Sequence, residues 1–214
     1  MTLKEIEEYK DAVLQILFDV QVSIHNAKYL GTSSSENENW VKKHGFFRHY
    51  FSQMRFILII QLAKLFSNSG NESYSFQKFI NRLDSTPLPK VDELNRNKIS
   101  DQSKKKELIT ELRSMLDKLK GEIQVLMELR NNFYAHGKRI NKHGQEVKVE
   151  KEIPLSWKQL ESLTELAFDF YNRINGAFYD GEFIFPNKSG WSPEWVVKRA
   201  AETRNEIPFN SRNR

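Results

Sequence analysis

The sequence contains no cysteine, which excludes disulfide bonds, zinc sites built on thiolates and cysteine nucleophiles. It also lacks a long hydrophobic segment. The longest apolar run, residues 56–60, ends at Gln61 and is far shorter than the roughly 20 residues that span a membrane. Residues 1–8 carry too many charges for a secretory signal peptide. We therefore expect a soluble protein of the cytoplasm with no membrane association.

Histidine is scarce as well, with five in the chain. His44 and His49 lie five positions apart, so they do not share a helix face, and no further ligands surround them. The sequence also holds no phosphate-binding loop, dinucleotide fingerprint or nucleophile elbow. We therefore expect no metal and no cofactor.

What the chain does have is enough apolar material for a core. It has 214 residues, of which 39% are hydrophobic and 12% aromatic, and this suits one soluble domain with elaborations. The net charge of +5 and the pI of about 9.2 are compatible with an anionic partner such as RNA. Many soluble proteins carry such a charge for solubility alone.

Apolar residues at steps of three and four predict an all-α protein. Helices are expected over residues 2–30, 39–66, 75–83, 101–135 and 157–174, with a short last helix that opens at Ser192-Pro193-Glu194. Residues 84–103 are polar and contain two prolines, so we expect a loop there. Residues 137–151 alternate apolar and charged side chains around His143-Gly144, which predicts a small exposed β-hairpin.

Single residues refine this outline. Thr2 and Glu5 have the spacing of a capping box, and Ser156 is expected to cap the helix 157–174. Gly31 is expected to end the first helix in the left-handed conformation. Gly45 indicates a kink or a close approach in the second helix, which should be the covered central helix of the bundle. Trp191 and Trp195 are expected to hold the last helix in place.

The stretch 126–137 ends the long helix 101–135 and carries the chemistry. On an ideal helix Arg130 lies on the same face as Leu126 and the apolar residues before it. An arginine on a core-facing stripe requires an anion, either a carboxylate of the chain or a phosphate, unless the stripe faces a partner chain. His136 lies about 120° round the helix from Arg130. The two side chains meet if the helix unwinds near Gly137, if a second copy completes the site across a two-fold axis, or both; we favour both.

Arginine and histidine are sufficient for RNA cleavage without a metal. The ribose 2′-OH is the nucleophile, a histidine of near-neutral pKa moves the proton, and an arginine stabilises the charge on the phosphate. Asn131 is placed to orient His136 or a phosphate oxygen. An arginine and a histidine near a helix C-terminus are also favourable through the helix dipole alone, and this structural alternative stands beside the catalytic one.

Arg130-Asn131-x4-His136 at the end of a long helix resembles the R-x4-6-H motif of the HEPN superfamily. The apolar helix before it and the helix led by Trp157 after it are most similar to the abortive-infection U branch. The resemblance covers about residues 4–175 and implies a HEPN-like helical bundle. With the helix count from the apolar spacing, we expect a bundle of about five or six helices over residues 1–176 and a C-terminal extension, 177–214, whose short helix packs on the bundle. We expect no counterpart in the family for the insertion 139–150 and the extension. The resemblance further implies a homodimer with both signature histidines near the two-fold axis.

Many members of that superfamily are metal-independent ribonucleases of toxin–antitoxin and phage-defence systems, and others are inactive binding modules. The resemblance therefore implies Arg130, His136 and Asn131 as catalytic residues, RNA as substrate and a cognate antitoxin protein as partner. RNA contacts are expected at polar and aromatic residues around the motif, namely Asn132, Tyr134, Lys138, Arg139 and Lys142. Two alternatives remain, a binding module without activity and a structural bundle in which Arg130 forms a salt bridge.

Overall fold

The computed structural model describes residues 1–88, 99, 101–131, 139–142, 145–148, 155–179, 183–184 and 192–206, with only the backbone described in the two strands and at 205–206. The helices are α1 (Leu3–Gly31), α2 (Glu36–Lys42), α3 (Gly45–Phe66), α4 (Phe76–Ser85), α5 (Gln102–Lys118), α6 (Lys120–Leu129), α7 (Trp157–Phe178) and α8 (Glu194–Glu206). The strands are β1 (Arg139–Lys142) and β2 (Gln145–Lys148). The predicted all-α class is confirmed.

Side-chain caps begin the helices where the sequence predicts them. The hydroxyl of Thr2 accepts a hydrogen bond from the backbone N–H of Glu5 at 3.2 Å, and the Glu5 carboxylate accepts one from the N–H of Thr2 at 2.6 Å. Ser156 and Gln159 form the same reciprocal pair at the start of α7, and Ser75 caps α4. Each cap satisfies N–H groups that the first turn of a helix leaves free.

The core lies where α1, α3 and α7 meet, with α4 and α5 closing one side. The ring of Phe76 at the start of α4 stacks on Phe170 of α7 at 4.0 Å and contacts the last residue of α3, Phe66, at 5.3 Å. Burying a side chain of this size contributes about 1.5–3 kcal/mol. The prediction that α3 is covered along its length is right only for its C-terminal half, because Phe46 is exposed at its beginning and Phe56 at its middle.

The predicted helix 39–66 is wrong as a single helix, because the chain breaks between α2 and α3. His44 caps α3 with an extended backbone, φ −62° and ψ 147°. The break coincides with the Lys42 ammonium, which donates to the carbonyls of Tyr29 and Thr32 at the end of α1, at 2.8 and 3.2 Å. Gly45 is the first residue of α3, so it marks the break in the predicted helix; nothing lies within 4 Å of a Cβ built there, so it marks no close approach.

Gly31 is needed for space rather than for backbone conformation. It lies inside α1, and the C-cap is Thr32 with φ −94°, so the predicted left-handed glycine is wrong. A Cβ at Gly31 would lie 2.9 Å from Cε2 of Phe51 and 3.1 Å from Cζ2 of Trp157. The glycine therefore lets the starts of α3 and α7 approach the end of α1.

The predicted helix 101–135 is also interrupted. At Leu119 the backbone leaves the helical region, and its N–H donates to the carbonyl of Leu116 in a tighter turn. The chain then resumes as α6, while residues 132–135 lie outside the described residues. These two interruptions explain why the described residues form eight helices rather than the five or six predicted.

The small β-hairpin is confirmed. Strands β1 and β2 pair antiparallel, with Arg139 opposite Lys148 and Lys142 opposite Gln145. The predicted turn at 143–144 and most of the predicted loop 84–103 lie outside the described residues.

The last helix packs against α2 through a small apolar cluster of its own. Val197 and Ala201 of α8 are buried there with Leu30 and Val41. Trp195 is 73% exposed, so the prediction that it holds this helix in place is wrong, and Trp191 lies outside the described residues. Helix α7 continues to the buried Phe178, beyond the expected boundary at residue 176, and the division into 1–176 and 177–214 stays a prediction.

Candidate functional site

The candidate site begins where α6 ends. Leu126 and Leu129 are buried against the core, and Arg130 follows with helical backbone angles, φ −57° and ψ −51°. Its N–H donates to the carbonyls of Leu126 and Met127, so the helical path continues through it. Because Arg130 follows Leu126 by one turn, it shares the core-facing side of the helix. Only 21% of its side chain is exposed.

A carboxylate of the same chain meets this arginine. Nη1 of Arg130 lies 3.5 Å from Oε1 of Glu72, whose side chain is 30% exposed. This distance exceeds the roughly 2.7–2.9 Å of a charge-assisted hydrogen bond, so the ion pair is loose. Of the partners that the sequence left open for Arg130, the structure shows the carboxylate.

Asn131 extends the site to the surface. Its side-chain oxygen accepts a hydrogen bond from Nε of Arg130 at 3.0 Å, and the residue is exposed. One edge of the guanidinium is thus held by the neighbouring amide, while a terminal nitrogen faces Glu72. A guanidinium has five N–H donors, so two such contacts do not use its capacity for a phosphate.

Glu72 reaches the site from the loop between α3 and α4. The ends of this loop are held together by the contact between Phe66 and Phe76. Inside the loop the N–H of Glu72 donates to the carbonyl of Ser69 at 3.2 Å, and the ring of Tyr74 contacts that of Tyr9 on α1. Glu72 is not recognisable as a site residue from the sequence, because it lies far from Arg130 in the chain and belongs to no motif.

The structure brings together two of the predicted site residues, Arg130 and Asn131. His136 lies outside the described residues, as do three of the expected RNA contacts, Asn132, Tyr134 and Lys138. Arg139 and Lys142 stand at the two ends of β1, and their side chains lie outside the description. The meeting of His136 with Arg130 therefore stays a prediction, as does the two-fold axis.

The acidic and histidine side chains and the helices of the described part bear on metal binding and on membrane insertion. No group of three or more histidine and acidic side chains in that part is placed to hold a metal ion. None of the described helices is long and apolar enough to cross a membrane.

Comparisons with known proteins found one relationship. No curated protein and no solved structure matches the chain. The sequence pattern of the HEPN family AbiU2 matches residues 3–190, a range that contains the helices α1 to α7 and the whole stretch 126–137. Because the match covers most of the chain, the protein belongs to the AbiU2 family of the HEPN superfamily, an abortive-infection family.

Proposed function

We propose that this protein is a metal-independent endoribonuclease that acts in abortive infection, of the toxin–antitoxin or phage-defence type. The observation that carries the proposal is the placement of Arg130 and Asn131 together at the end of α6, with the Arg130 side chain about one-fifth exposed. Membership of an abortive-infection HEPN family supports it, because Arg130, Asn131 and His136 match the R-x4-6-H motif of that superfamily.

The proposed step is an attack within the RNA strand. His136 takes the proton of a ribose 2′-OH as O2′ bonds to the adjacent phosphorus. The bond from phosphorus to O5′ breaks, and O5′ receives a proton, so the products end in a 2′,3′-cyclic phosphate and a 5′-hydroxyl. Arg130 stabilises the charge on the five-coordinate phosphate, and Asn131 holds the guanidinium edge.

The site is proposed to be shared across a homodimer, because a straight helix would place His136 on a different face from Arg130. The RNA strand is proposed to contact Asn132, Tyr134 and Lys138 near the motif, together with Arg139 and Lys142 of β1. A cognate antitoxin protein is a further proposed partner. Because RNA is the proposed substrate, the activity is proposed to lie in the cytoplasm.

The first test is cleavage of a fluorescent RNA in EDTA. We expect cutting by the wild-type protein, products with 2′,3′-cyclic phosphate ends, and no cutting at a position whose ribose is 2′-deoxy. Arg130→Ala and His136→Ala should each lower the rate at least 100-fold, the usual scale for a group that acts only in the transition state. Cleavage that survives His136→Ala, or that requires a divalent metal, contradicts the proposal.

The shared site is tested by mixing inactive variants. If Arg130 of one subunit works with His136 of the other, a dimer of Arg130→Ala with His136→Ala regains one intact site. An equimolar mixture that exchanges subunits should then recover about a quarter of wild-type activity. If both residues of a site come from one subunit, the mixture stays inactive.

A second function is favoured by the ion pair of Arg130 with Glu72. An arginine that already faces a carboxylate suits a non-catalytic module that binds nucleotide, RNA or a protein through this face. Such a module dimerises and binds RNA without cutting it. Glu72→Gln separates the two functions, because it removes the carboxylate that faces Arg130 and keeps the arginine. An endoribonuclease keeps its activity in this variant. A binding module cleaves no RNA, either as the wild type or as Glu72→Gln.

A further inference from the structure

The junction of α2 and α3 is rich in basic and aromatic residues. Residues 40–55 contain four lysines and arginines, five aromatic residues and no aspartate or glutamate. The chain as a whole is nearly balanced, with 33 basic and 28 acidic residues, so this segment is a local excess of positive charge. Cations interleaved with aromatic rings are the sequence pattern of single-stranded nucleic-acid binding.

The structure exposes both kinds of side chain. Phe46 is 72% exposed, and its ring lies parallel to that of Tyr50 with centroids 6.4 Å apart. Lys43 and Arg48 are exposed on either side of it in the sequence. In the described part of the chain no carboxylate pairs with either cation. We call Lys43, Phe46, Phe47 and Arg48 the α3 N-terminal patch.

A cleft of about 540 Å³ adjoins the patch between the end of α1, α2 and α3. Lys43, Phe47 and Arg48 line it together with Phe51, and among the described residues no acidic one does. Its volume lies within the roughly 300–1,000 Å³ of small-molecule sites. The cleft therefore combines an apolar wall with a positive rim.

Lys42 also borders the cleft but has a different role. Its ammonium donates to two carbonyls at the end of α1 and to the hydroxyl of Ser34, at 2.6 Å, and the residue is 7% exposed. Lys42 therefore caps α1, while the charges of Lys43 and Arg48 remain available to a ligand.

We propose that the α3 N-terminal patch binds single-stranded RNA, with phosphates on Lys43 and Arg48 and a base stacked on Phe46. A protein partner is disfavoured because interface cores are depleted in lysine, whereas the exposed ring here stands between two cations that pair with no carboxylate of the described residues. Stacking on a ring with phosphates on nearby cations is how sequence-tolerant binding sites hold a single strand.

This inference deepens the proposed function and rests on it, because it adds a second RNA contact to the site at Arg130. The two lie at opposite ends of α3: Phe47 lies in the first turn of the helix, and the loop that carries Glu72 leaves its last residue, Phe66. A rise of about 1.5 Å per residue separates the ends by about 28 Å. A stacked strand advances about 3.4 Å per nucleotide, so roughly eight nucleotides join the two contacts.

The test is the binding of a fluorescein-labelled 2′-O-methyl RNA of about 12 nucleotides, measured by anisotropy over a range of salt concentrations. This probe lacks the 2′-OH nucleophile and is not consumed by the proposed reaction. Lys43→Ala/Arg48→Ala removes two phosphate contacts. The slope of log affinity against log salt should therefore fall by about 1.4, with roughly 25-fold weaker binding at about 0.1 M salt.

The matched control is Lys104→Ala/Lys106→Ala, which makes the same charge change at exposed positions of α5. We expect it to bind like the wild type. Phe46→Ala should weaken binding at least fivefold, and Phe46→Trp should restore it because stacking is kept.

The inference would be overturned if the patch variant and the wild type had equal affinities and equal salt slopes. It would also be overturned if the two double variants lost RNA affinity equally, or if the wild type did not bind the RNA. A change of oligomeric state in Lys43→Ala/Arg48→Ala would assign the patch to a protein interface and also overturn it. If the patch variant loses affinity while no protein cuts ordinary RNA, the proposed ribonuclease fails and the patch stands.

Discussion

The ion pair between Arg130 and Glu72 decides between a structural and a functional role for the arginine, and its strength follows from its geometry. Charges 3.5 Å apart attract by about 1.2 kcal/mol in water and about 4.7 kcal/mol at an effective dielectric constant of 20. The side chains are 21% and 30% exposed, and desolvation offsets much of the larger figure. We expect a net coupling energy of about 1–2 kcal/mol, above that of most surface pairs.

A double-mutant cycle measures this coupling. Arg130→Met keeps the aliphatic stem of the side chain and removes its charge, and Glu72→Gln keeps the shape of the carboxylate without its charge. Urea unfolding of the wild type, the two single variants and the double variant, followed by circular dichroism, gives the interaction free energy. The same cycle at about 1 M salt should give a smaller value, because the pair is partly exposed.

Two results would refute this reasoning. A coupling below about 0.3 kcal/mol lies within the error of additivity and means that the pair does not form in solution. A coupling above about 3 kcal/mol has the size of a buried pair and makes Arg130 a structural residue. In that second case Arg130→Ala loses activity because the protein unfolds, and the cleavage assay no longer reports on catalysis.

Three further changes test the packing and the pH dependence. Gly31→Ala should lower the free energy of unfolding by about 1 kcal/mol, because overpacking against two aromatic rings exceeds the gain in helix propensity; Gly176→Ala in α7, where the space is open, should raise it by up to about 1 kcal/mol. Both are measured by urea unfolding, and the same sign for the two changes would contradict the steric explanation. Val197→Ala should lower the free energy of unfolding by about 1–2 kcal/mol, because this side chain is fully buried, and its half-exposed neighbour Val196→Ala should change it by less than about 0.5 kcal/mol. Equal effects would mean that α8 does not pack on α2 in solution. Burial and neighbouring carboxylates raise the pKa of Tyr179 to about 12, which favours the neutral phenol in the folded state. The unfolded value is near 10, so this stability is complete below about pH 10 and is lost as the pH rises towards 12. Tyr179→Phe should flatten the decline in thermal unfolding temperature over that interval, and an unchanged decline would count against the shift.

Much of the fold was predictable because helix starts and apolar faces are local properties. The spacing of Thr2 and Glu5 and the position of Ser156 give the same caps in the sequence and in the structure. The breaks at His44 and Leu119 were not predictable from apolar spacing. The first accompanies a contact of the Lys42 ammonium with the end of α1, and the second is a local tightening that leaves the apolar stripe intact.

The predicted roles of Gly31 and Trp195 were wrong for a related reason. The sequence shows a glycine at position 31 but not why one is needed there. The reason is the position of Phe51 and Trp157, which come from other helices and leave no room for a side chain. The sequence also cannot say which of several neighbouring apolar residues near a helix start faces inward. In α8 the inward residue is Val197, and Trp195 points to solvent.

For the candidate site, the sequence predicted that Arg130 needs an anion, which follows from its place on an apolar face. It could not name Glu72, because a contact between residues so far apart depends on how the loop between α3 and α4 closes. The basic and aromatic content of residues 40–55 was visible in the sequence and was overlooked. The exposure of these residues in the structure is what indicates a binding surface, because the same residues buried in a core would indicate only packing.

Helix α3 connects the α3 N-terminal patch to the region of Arg130, and its two halves differ in burial and charge. Its buried C-terminal half lies in the core, next to the loop that carries Glu72, and its exposed N-terminal half carries the α3 N-terminal patch. The charge of Arg130 is opposed by Glu72, whereas those of Lys43 and Arg48 are not opposed by any described carboxylate. Salt should therefore weaken RNA binding mainly through the patch and affect the cleavage rate of bound RNA much less. A salt series on both quantities, with and without Lys43→Ala/Arg48→Ala, measures this directly. If cleavage of saturating RNA declined with salt as steeply as binding, the separation of the two ends would be wrong.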